Sequence, residues 1–241
     1  MSGGVDSSVA AALLKNAAKP AEFKKITGRP APGEFRGFDV YGIHIKMWSD
    51  PHIPCAFKED RYDAMRAAAH LNIPFQTWDF TAEYKREVVD YMVREYAAGR
   101  TPNPDVMCNR HIKFGLFLRK ALAAGADFIA TGHYVRPGVG ERLIGDRTNL
   151  SPVSYHLLPA KDLNKDQSYF LWTLSQEQLK HCLFPIGEYA KSEVRKLAKK
   201  FKLANAEKPD SQGICFIGEI DIHEFLKNYI PERVGRVLTT A

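Results

Sequence analysis

The sequence predicts an α/β fold, in which a parallel sheet is flanked by helices and followed by a smaller, partly helical region. Segments with strand-like and helix-like apolar patterns alternate through the first half of the chain, as in parallel sheets with helices on both faces. A glycine- and serine-rich start leads directly into an apolar helical run, which is typical of the first turn of such folds. With 241 residues and 45% hydrophobic content, the chain can bury a large core.

The individual elements follow from the apolar periodicity, taken in chain order. The pattern predicts helices over 7–15, 58–70, 82–98 and 112–124, and strands over 40–46, 74–80 and 127–131. After about Arg136 the character changes, and the pattern predicts a strand over 153–159 and short helices over 177–182, 192–201 and 221–229. The stretch 16–37 has three prolines, three glycines and no clean period, so it is interpreted as a surface insertion.

Composition limits the class of protein. The net charge of +6, from 34 Lys and Arg against 28 Asp and Glu, favours a polyanionic partner such as nucleic acid, although an ordinary basic protein remains an alternative. The cysteines form no CxxC pair, which argues against a disulfide framework or a structural zinc site and predicts a reducing compartment. No apolar run approaches the roughly 20 residues of a membrane span, so no membrane partner is expected.

The stretch "SGGVDSS" predicts an anion site, because it places backbone N–H groups and the positive end of a helix dipole at one point. The residues concerned are Ser2, Gly3, Gly4, Asp6, Ser7 and Ser8. No GxxxxGK[ST] or GxGxxG pattern occurs, which argues against a P-loop NTPase or a dinucleotide fingerprint. A glycine turn that only caps a helix is the alternative. Such a loop normally follows a buried strand, so a first strand is expected to be missing before Met1.

Two of the cysteines have surroundings suited to chemistry. Cys108, in "GRTPNPDVMCNRHIKF", follows a proline-stiffened loop and is predicted just before a helix, where the helix dipole and nearby cations would favour the thiolate. Cys215, in "KPDSQGICFIG", lies on a glycine-flanked segment that is predicted to be mobile. Two such cysteines suit a sulfur relay, in which one carries a persulfide and the other attacks or resolves it. The alternative is a small buried side chain, which is how Cys55 and Cys182 are interpreted.

The first motif resembles the PP-loop of ATP pyrophosphatases, and the motifs together resemble the tRNA-specific 2-thiouridylase family, which thiolates the wobble uridine of tRNA. The motifs that carry this resemblance, in the family's order, are "SGGVDSS", "TPNPDVMCN", "ATGHY", "KDQSYFL", "FPIGEYAKSEVRKLA" and "DSQGICFIG". The resemblance implies a PP-loop, adenine nucleotide α-hydrolase-like catalytic domain over 1–150. Residues 151–241 would hold the rest of that domain and the start of a central adaptor region, without the family's C-terminal β-barrel.

The resemblance also assigns roles to residues. ATP and Mg²⁺ are the implied cofactors, with the serine, glycine and aspartate residues of "SGGVDSS" on the ATP phosphates and Gly132 against the nucleotide. In "GIHIKMW", Ile45 takes the place of the family's adenine-contacting methionine. The residues implied to contact the target base or the tRNA are Asn103, Pro104, Asp105, His133, Lys165, Asp166 and Gln167. No residue is assigned as a metal ligand, and Asp6 would help to hold either the loop or a Mg²⁺.

Three of these contacts have a plain structural alternative. Asp166 could cap a following helix, Lys165 could be a solvated charge, and His133 could be a core histidine.

The implied chemistry uses Cys108, Cys215 and Asp105 as catalytic residues, with Asp105 as a candidate acid or base. ATP would adenylate the uridine C-2 oxygen, and Cys215 would carry persulfide sulfur from a donor protein. Cys108 would attack that persulfide, leaving a Cys108–Cys215 disulfide, or would attack the ring directly. The implied partners are this donor and the tRNA anticodon loop.

The insertion favours a eukaryotic, mitochondrial matrix protein over a cytoplasmic one. Two alternative functions remain open: an inactive tRNA-binding remnant and another PP-loop ATP pyrophosphatase.

Overall fold

The computed structural model describes residues 1–50, 57–141, 153–210 and 222–231. Helices in these ranges pack around paired strands. The α-helices are α1 (Val5–Asn16), α2 (Pro20–Thr27), α3 (Phe57–His70), α4 (Thr81–Tyr84), α5 (Asp90–Ala97), α6 (Pro104–Met107), α7 (Leu118–Ala123), α8 (Gln176–Leu179), α9 (Lys191–Lys200) and α10 (Ile222–Lys227). The strands are β1 (Gly42–Lys46), β2 (Phe75–Asp79), β3 (Ile129–Ala130), β4 (Arg136–Glu141), β5 (Val153–Leu158) and β6 (Cys182–Leu183).

Two of the strand pairs are parallel, as the α/β class predicts. β1 pairs with β2, with Ile43 opposite Gln76, and α3 lies between them in the chain and packs against both. β3 pairs with β6. The third pair, β4 with β5, is antiparallel, with Arg136 opposite Leu158. The α/β class is therefore confirmed, whereas the described strands form separate pairs and not one continuous parallel sheet.

The helix α1 lies at the centre of the fold. One side of it packs with α3, α9 and Ile186, and the other packs with α2, Val40 and Leu183. Val9 and Ala12 are fully buried. A helix that is apolar on most sides belongs in the interior, and here the small alanine side chains let the neighbouring helices approach. The burial of α1 fixes the loop that precedes it.

The prediction of a surface insertion over 16–37 is wrong for its first part, which forms α2. Pro20 occupies the first turn, and Glu22 accepts hydrogen bonds from the backbone N–H groups of Ala18 and Lys19 at 2.8 and 2.9 Å. These are recognised helix-starting features, but the short length and the neighbouring prolines hide the period. Phe23 and Ile26 are buried, so tertiary packing stabilises this helix.

We predict that Phe23→Ala destabilises the protein by about 3 kcal/mol, because it leaves a cavity in an aromatic cluster. The Phe23 ring is 7% exposed and lies 4.8 Å from the Phe35 ring and 5.6 Å from the Phe38 ring, measured between centroids. Urea unfolding would measure this loss. Tyr62→Ala, at a position 52% exposed on α3, is the control and should change stability by less than about 1 kcal/mol. Equal losses of stability in Phe23→Ala and Tyr62→Ala would contradict the conclusion that α2 packs into the core.

Three further predictions are corrected. The helix predicted over 112–124 begins at Pro104 and continues through a π-helical segment, Cys108–Phe117, because Asn103 caps it and Pro104 suits its first position. The helix predicted over 177–182 ends at Leu179, and Cys182 belongs to β6. The strand β4 was missed, since its proline and glycines weaken the strand pattern and pairing with β5 decides its structure.

The remaining predicted elements are confirmed with small shifts of their ends. Among them, the helix predicted over 82–98 contains a π-helical segment, Lys85–Val89. None of the helices in the described ranges combines the length and the apolar character needed to span a bilayer.

Candidate active site

The amino-terminal loop, residues 2–8, is closed on itself by serine side chains. The Ser2 N–H donates to Ser7 Oγ at 3.0 Å, and the two hydroxyl oxygens lie 3.1 Å apart. The Ser7 and Ser8 hydroxyls both donate to the Gly4 carbonyl. Gly4 is the extended N-cap of α1, and no side chain in the described part of the chain caps that end. The first-turn N–H groups are therefore placed to bind an anion.

Two glycines let other segments approach this loop closely. Gly3 has a φ of +88°, which favours glycine, and a Cβ there would collide with the Asp60 carbonyl. A Cβ at Gly132 would lie 2.8 Å from Ser7 N and 2.9 Å from the Asp6 carbonyl carbon. Gly132 thus packs directly against the amino-terminal loop, and its contact with a nucleotide remains a prediction. A polyphosphate fits this site, since it has an uncapped helix end and closely packed backbone.

Asp6 is held by two side chains from distant parts of the chain. Tyr134 Oη donates to Asp6 Oδ1 at 2.9 Å, and Lys191 Nζ lies 2.8 and 2.9 Å from the two carboxylate oxygens. Burial, followed by the Asp6 charge and hydrogen bond, raises the pKa of Tyr134, so its hydroxyl stays a donor. Both oxygens of Asp6 are therefore engaged in protein contacts.

Lys191 belongs to a charged cluster beside the loop. Its ammonium group also lies 2.8 Å from Asp210 Oδ1. Asp210 is bound in turn by Arg195, at 2.6 Å, and by Lys165, at 3.3 Å. The charged cluster thus comprises Asp6, Lys165, Lys191, Arg195 and Asp210. Within this cluster, three cations therefore face two carboxylates.

Asn205 binds the amino-terminal loop from the protein interior. Its side chain is 4% exposed, and Nδ2 donates to the Gly3 carbonyl at 2.8 Å and to Ser8 Oγ at 3.0 Å. Its Oδ1 is buried and has no hydrogen-bond partner among the described residues. Asn205 therefore fixes both the turn before α1 and the first turn of the helix.

The thiol segment, residues 103–108, differs from its prediction. Asn103 Oδ1 accepts from the Val106 N–H at 3.1 Å, and Pro104 occupies the first helical position. Cys108 therefore lies inside the helix, a full turn after its N-terminus, where the influence of the dipole has faded. Cys108 is also 1% exposed. The prediction that Cys108 lies immediately before a helix is wrong, because the helix starts at Pro104.

Cys108 lies in an apolar cluster with Phe80, Tyr84, Ile112 and Phe225 of α10, among others. Ile45 of β1 is half-buried and packs against this same cluster. The proposed adenine-contacting position and the thiol therefore share one region of the fold.

Asp105 lies in the helical turn that precedes Cys108. Its side chain is half-buried, and Oδ1 is buried without a hydrogen-bond partner among the residues that the structure describes. A buried carboxylate oxygen with no partner is energetically costly and often marks a functional group. This geometry is compatible with the expected acid or base role. Of the cations expected near Cys108, Arg110 is exposed, and His111 Nδ1 lies 3.8 Å from Glu87 Oε2.

Two of the residues expected to contact tRNA, Lys165 and Asp166, lie in or beside the charged cluster. Lys165 is bound to Asp210 through its ammonium group. Asp166 accepts from the Ala160 N–H at 2.8 Å and from the Ser168 hydroxyl at 2.6 Å, instead of capping the following helix. These bonds order the segment, and Lys165 remains partly exposed at its end.

Gln167 connects the amino-terminal loop with the thiol segment. It exchanges two hydrogen bonds of 2.9 Å with the Tyr134 backbone, and the Tyr134 hydroxyl reaches Asp6. Three residues later, the Phe170 carbonyl accepts from Asn109 Nδ2 at 3.3 Å. The two halves of the predicted site are therefore joined by the segment 167–170.

His133 has the environment of a core histidine. It is 8% exposed, its Nδ1 lies 2.9 Å from Thr131 Oγ1, and its ring packs against Phe114 and Phe184. Burial, with a smaller contribution from the Lys113 charge, lowers the pKa of His133 well below 6.5. The folded protein thus holds this imidazole neutral, and the expected contact with RNA remains a prediction.

We predict that His133 contributes to acid destabilisation. Its folded pKa is depressed, so below pH 6.5 the unfolded chain binds a proton that the folded chain does not, and stability falls as the pH falls. His133→Gln should therefore lose less stability between about pH 7 and about pH 5 than the wild type in urea unfolding. His156→Gln, an exposed position on β5, should retain the wild-type slope. An unchanged slope in His133→Gln would contradict this assignment. Burial also lowers the pKa of His44, which maintains some pH dependence in every variant.

Two cysteines, Cys55 and Cys215, lie outside the described residues. Cys182, interpreted as structural, is 2% exposed, and burial raises its pKa to about 12. Asp210 belongs to the charged cluster, and Phe225 packs in the cluster of Cys108.

Comparison with known proteins places this geometry in a family. The sequence model of the family described as "tRNA methyl transferase HUP domain" matches residues 34–219. Curated relatives named tRNA-specific 2-thiouridylase MnmA are 46% identical in Christiangramia forsetii, 46% in Flavobacterium johnsoniae and 44% in Nitrosomonas europaea, each over 99% of this chain. The chain belongs to the tRNA-specific 2-thiouridylase family. The predicted family resemblance is thereby confirmed.

The chain spans about half the length of the 2-thiouridylases it matches, at 55% of the Christiangramia forsetii protein and 58% of the Nitrosomonas europaea protein. These 2-thiouridylases are bacterial, and a mitochondrial location for this chain remains a prediction. The amino-terminal loop precedes the region matched by the HUP-domain model, but it lies within a chain of which 99% aligns with the relatives.

Sequence reasoning missed several residues that shape the site of this 2-thiouridylase family member, among them Lys191, Asn205 and Asp210. Lys191 and Asp210 lie in or beside quoted motifs, "FPIGEYAKSEVRKLA" and "KPDSQGICFIG", so a charged residue within a motif was the available signal. Nothing in the sequence marked Asn205. Its role depends on contact with Gly3, which lies 202 positions away in the chain.

Proposed function

We propose that this chain catalyses ATP-dependent 2-thiolation of the wobble uridine of tRNA. The observation that carries the proposal is the joining of two sites. A loop suited to polyphosphate and a helix bearing Cys108 are connected through Tyr134, Gln167 and the segment 167–170. The names of the 2-thiouridylase relatives support the substrate and the transferred sulfur.

The amino-terminal loop would bind the ATP phosphates through the first-turn N–H groups of α1. The uridine C-2 oxygen is a poor leaving group. Adenylation by ATP would allow it to leave as part of AMP. We propose Mg²⁺ as the counterion of the phosphates, because Mg²⁺ binds largely through substrate phosphates and water. Ile45 would contact the adenine, and Asp105 would hold or move a proton at the target base. Support for the acid or base role comes from its buried oxygen without a partner.

The sulfur would come from a persulfide on Cys215, loaded by a donor protein. In the balanced step, the Cys108 thiolate attacks the Cys215 sulfur, a Cys108–Cys215 disulfide forms, and hydrosulfide leaves. The hydrosulfide then displaces AMP from uridine C-2, and a thiol reductant supplies two electrons to reopen the disulfide. Direct attack by Cys108 on the ring is the other route. Support for a role of Cys215 beside Cys108 comes from described residues on either side of it in the chain: Asp210 lies in the charged cluster and Phe225 packs in the cluster of Cys108.

The tRNA anticodon loop would lie against the segment 165–167 and the thiol segment. The partly exposed Lys165 and the net charge of +6 favour a phosphate backbone. The wobble base must leave its stack to be reached, as is general for enzymes that modify bases.

The test is incubation of the purified chain with unmodified tRNA, Mg-ATP and a persulfide donor. Mass spectrometry of the nucleosides would detect 2-thiouridine, and AMP would be measured in parallel. Both products are expected. AMP without thiouridine would instead favour another PP-loop ATP pyrophosphatase. Bound tRNA with neither product, from a chain shown to be folded, would favour a tRNA-binding remnant.

A further inference from the structure

Lys191, the first residue of α9, shares its ammonium group between two carboxylates. Nζ lies 2.8 Å from Asp6 Oδ1, 2.9 Å from Asp6 Oδ2 and 2.8 Å from Asp210 Oδ1. The Lys191 side chain is only 15% exposed. Ion pairs that are largely withdrawn from water interact more strongly than exposed pairs. This contact is therefore a fixed part of the fold.

A carboxylate within an anion-binding loop creates an electrostatic problem. Asp6 lies in the first turn of α1, so its charge would repel the phosphates that the loop is suited to bind. Lys191 offsets that charge at both oxygens, and the Tyr134 hydroxyl donates to one of them. The carboxylate is thereby neutralised and held in one orientation.

Asp210 is also held by several cations. Burial opposes its ionisation, but the hydrogen bond and charge of Lys191, followed by Lys165 and Arg195, hold the pKa of Asp210 below its ordinary value. Asp210 therefore remains charged and keeps Lys191 in place. The backbone carbonyl of Ala206 accepts from Arg195 at 3.0 Å, which anchors this end of the charged cluster.

We propose that Lys191 is a positioning residue of the amino-terminal loop, which binds Asp6 and Asp210 together and so neutralises and orients Asp6 for polyphosphate binding. Lys191 acts through Asp6, and not by contact with the phosphates. This inference rests on the proposed function, because it takes ATP as the ligand of the loop.

The first experiment measures ATP binding to the full chain by calorimetry, with Lys191→Met against Lys199→Met. Lys199 lies on the same helix and forms an exposed pair with Glu207 at 2.8 Å, so it is a matched control. Lys191→Met should weaken ATP binding about tenfold, the scale of coupled neighbours, and Lys199→Met less than about twofold. Lys191→Arg should restore most of the affinity. Thermal unfolding of each variant would show that it is folded.

The second experiment repeats Lys191→Met in an Asp6→Asn background, with a chelator present so that no divalent cation contributes. If Lys191 acts through Asp6, its loss should now cost less than about threefold. The same tenfold loss in both backgrounds would show direct contact with the phosphates and would overturn the proposal.

The outcomes separate this inference from the function on which it rests. A wild-type chain that binds no ATP would contradict the proposed function, and the inference with it. A wild-type chain that binds ATP, together with a Lys191→Met variant that matches Lys199→Met, would overturn only the role of Lys191.

Discussion

Cys108→Ser should reduce formation of 2-thiouridine by about a thousandfold, because the hydroxyl cannot replace a thiolate in attack on a persulfide. Binding of tRNA and the release of pyrophosphate in the first turnover should persist, since neither requires the thiol. The measurement follows thiouridine by mass spectrometry and pyrophosphate in parallel. Loss of thiouridine with continued release of pyrophosphate would show that Cys108 acts in sulfur transfer. Loss of both products would indicate a general loss of activity.

The burial of Cys108 makes a structural control necessary. Cys182 is equally buried, and its Sγ donates to the Gln178 carbonyl at 2.9 Å, a bond that a serine hydroxyl can also form. Cys182→Ser should therefore retain thiolation. Burying the serine hydroxyl of Cys108→Ser could unfold that variant. Cys108→Ala removes the thiol without burying a hydroxyl, so it is the second variant to test. Thiolation at wild-type rates by a folded Cys108→Ala variant would show that Cys108 is only a core residue.

Gly132→Ala should lower activity by about a hundredfold, because its Cβ would meet Ser7 N at 2.8 Å and force the amino-terminal loop to move. The contact is with backbone, which cannot rotate away as a flexible side chain can. ATP affinity, measured by calorimetry, should fall together with activity. Binding of tRNA should be retained, since the segment 165–167 is not displaced directly.

Gly33→Ala is the matched control for this substitution. A Cβ at Gly33 would meet no described atom within 4 Å, and the backbone there does not have a positive φ. Gly33→Ala should therefore keep both ATP affinity and activity. If Gly132→Ala also kept wild-type ATP affinity, the nucleotide would not lie against this loop, and the assignment of the amino-terminal loop as the phosphate site would fail.

The parts of the fold that depend on local pattern were predictable. β1, β2, α3 and α9 agree with their predicted ranges within a few residues, because amphipathic periodicity is a property of short segments. By contrast, β4 and the helical character of α2 depend on partners distant in the chain. The strand β4 is stabilised by pairing with β5, and α2 by the aromatic cluster around Phe23. The predicted adaptor region remains a prediction.

The site divides in the same way. The sequence by itself determined the family and marked the amino-terminal loop, because the order of residues within short motifs identifies both. It also singled out Cys108 as a candidate nucleophile, which remains a prediction. Only the tertiary structure decided that Cys108 is buried one turn into its helix, and that Asp6 is paired with Lys191, 185 positions away. Such contacts arise when burial brings distant charges together, and no local pattern encodes which charges will meet.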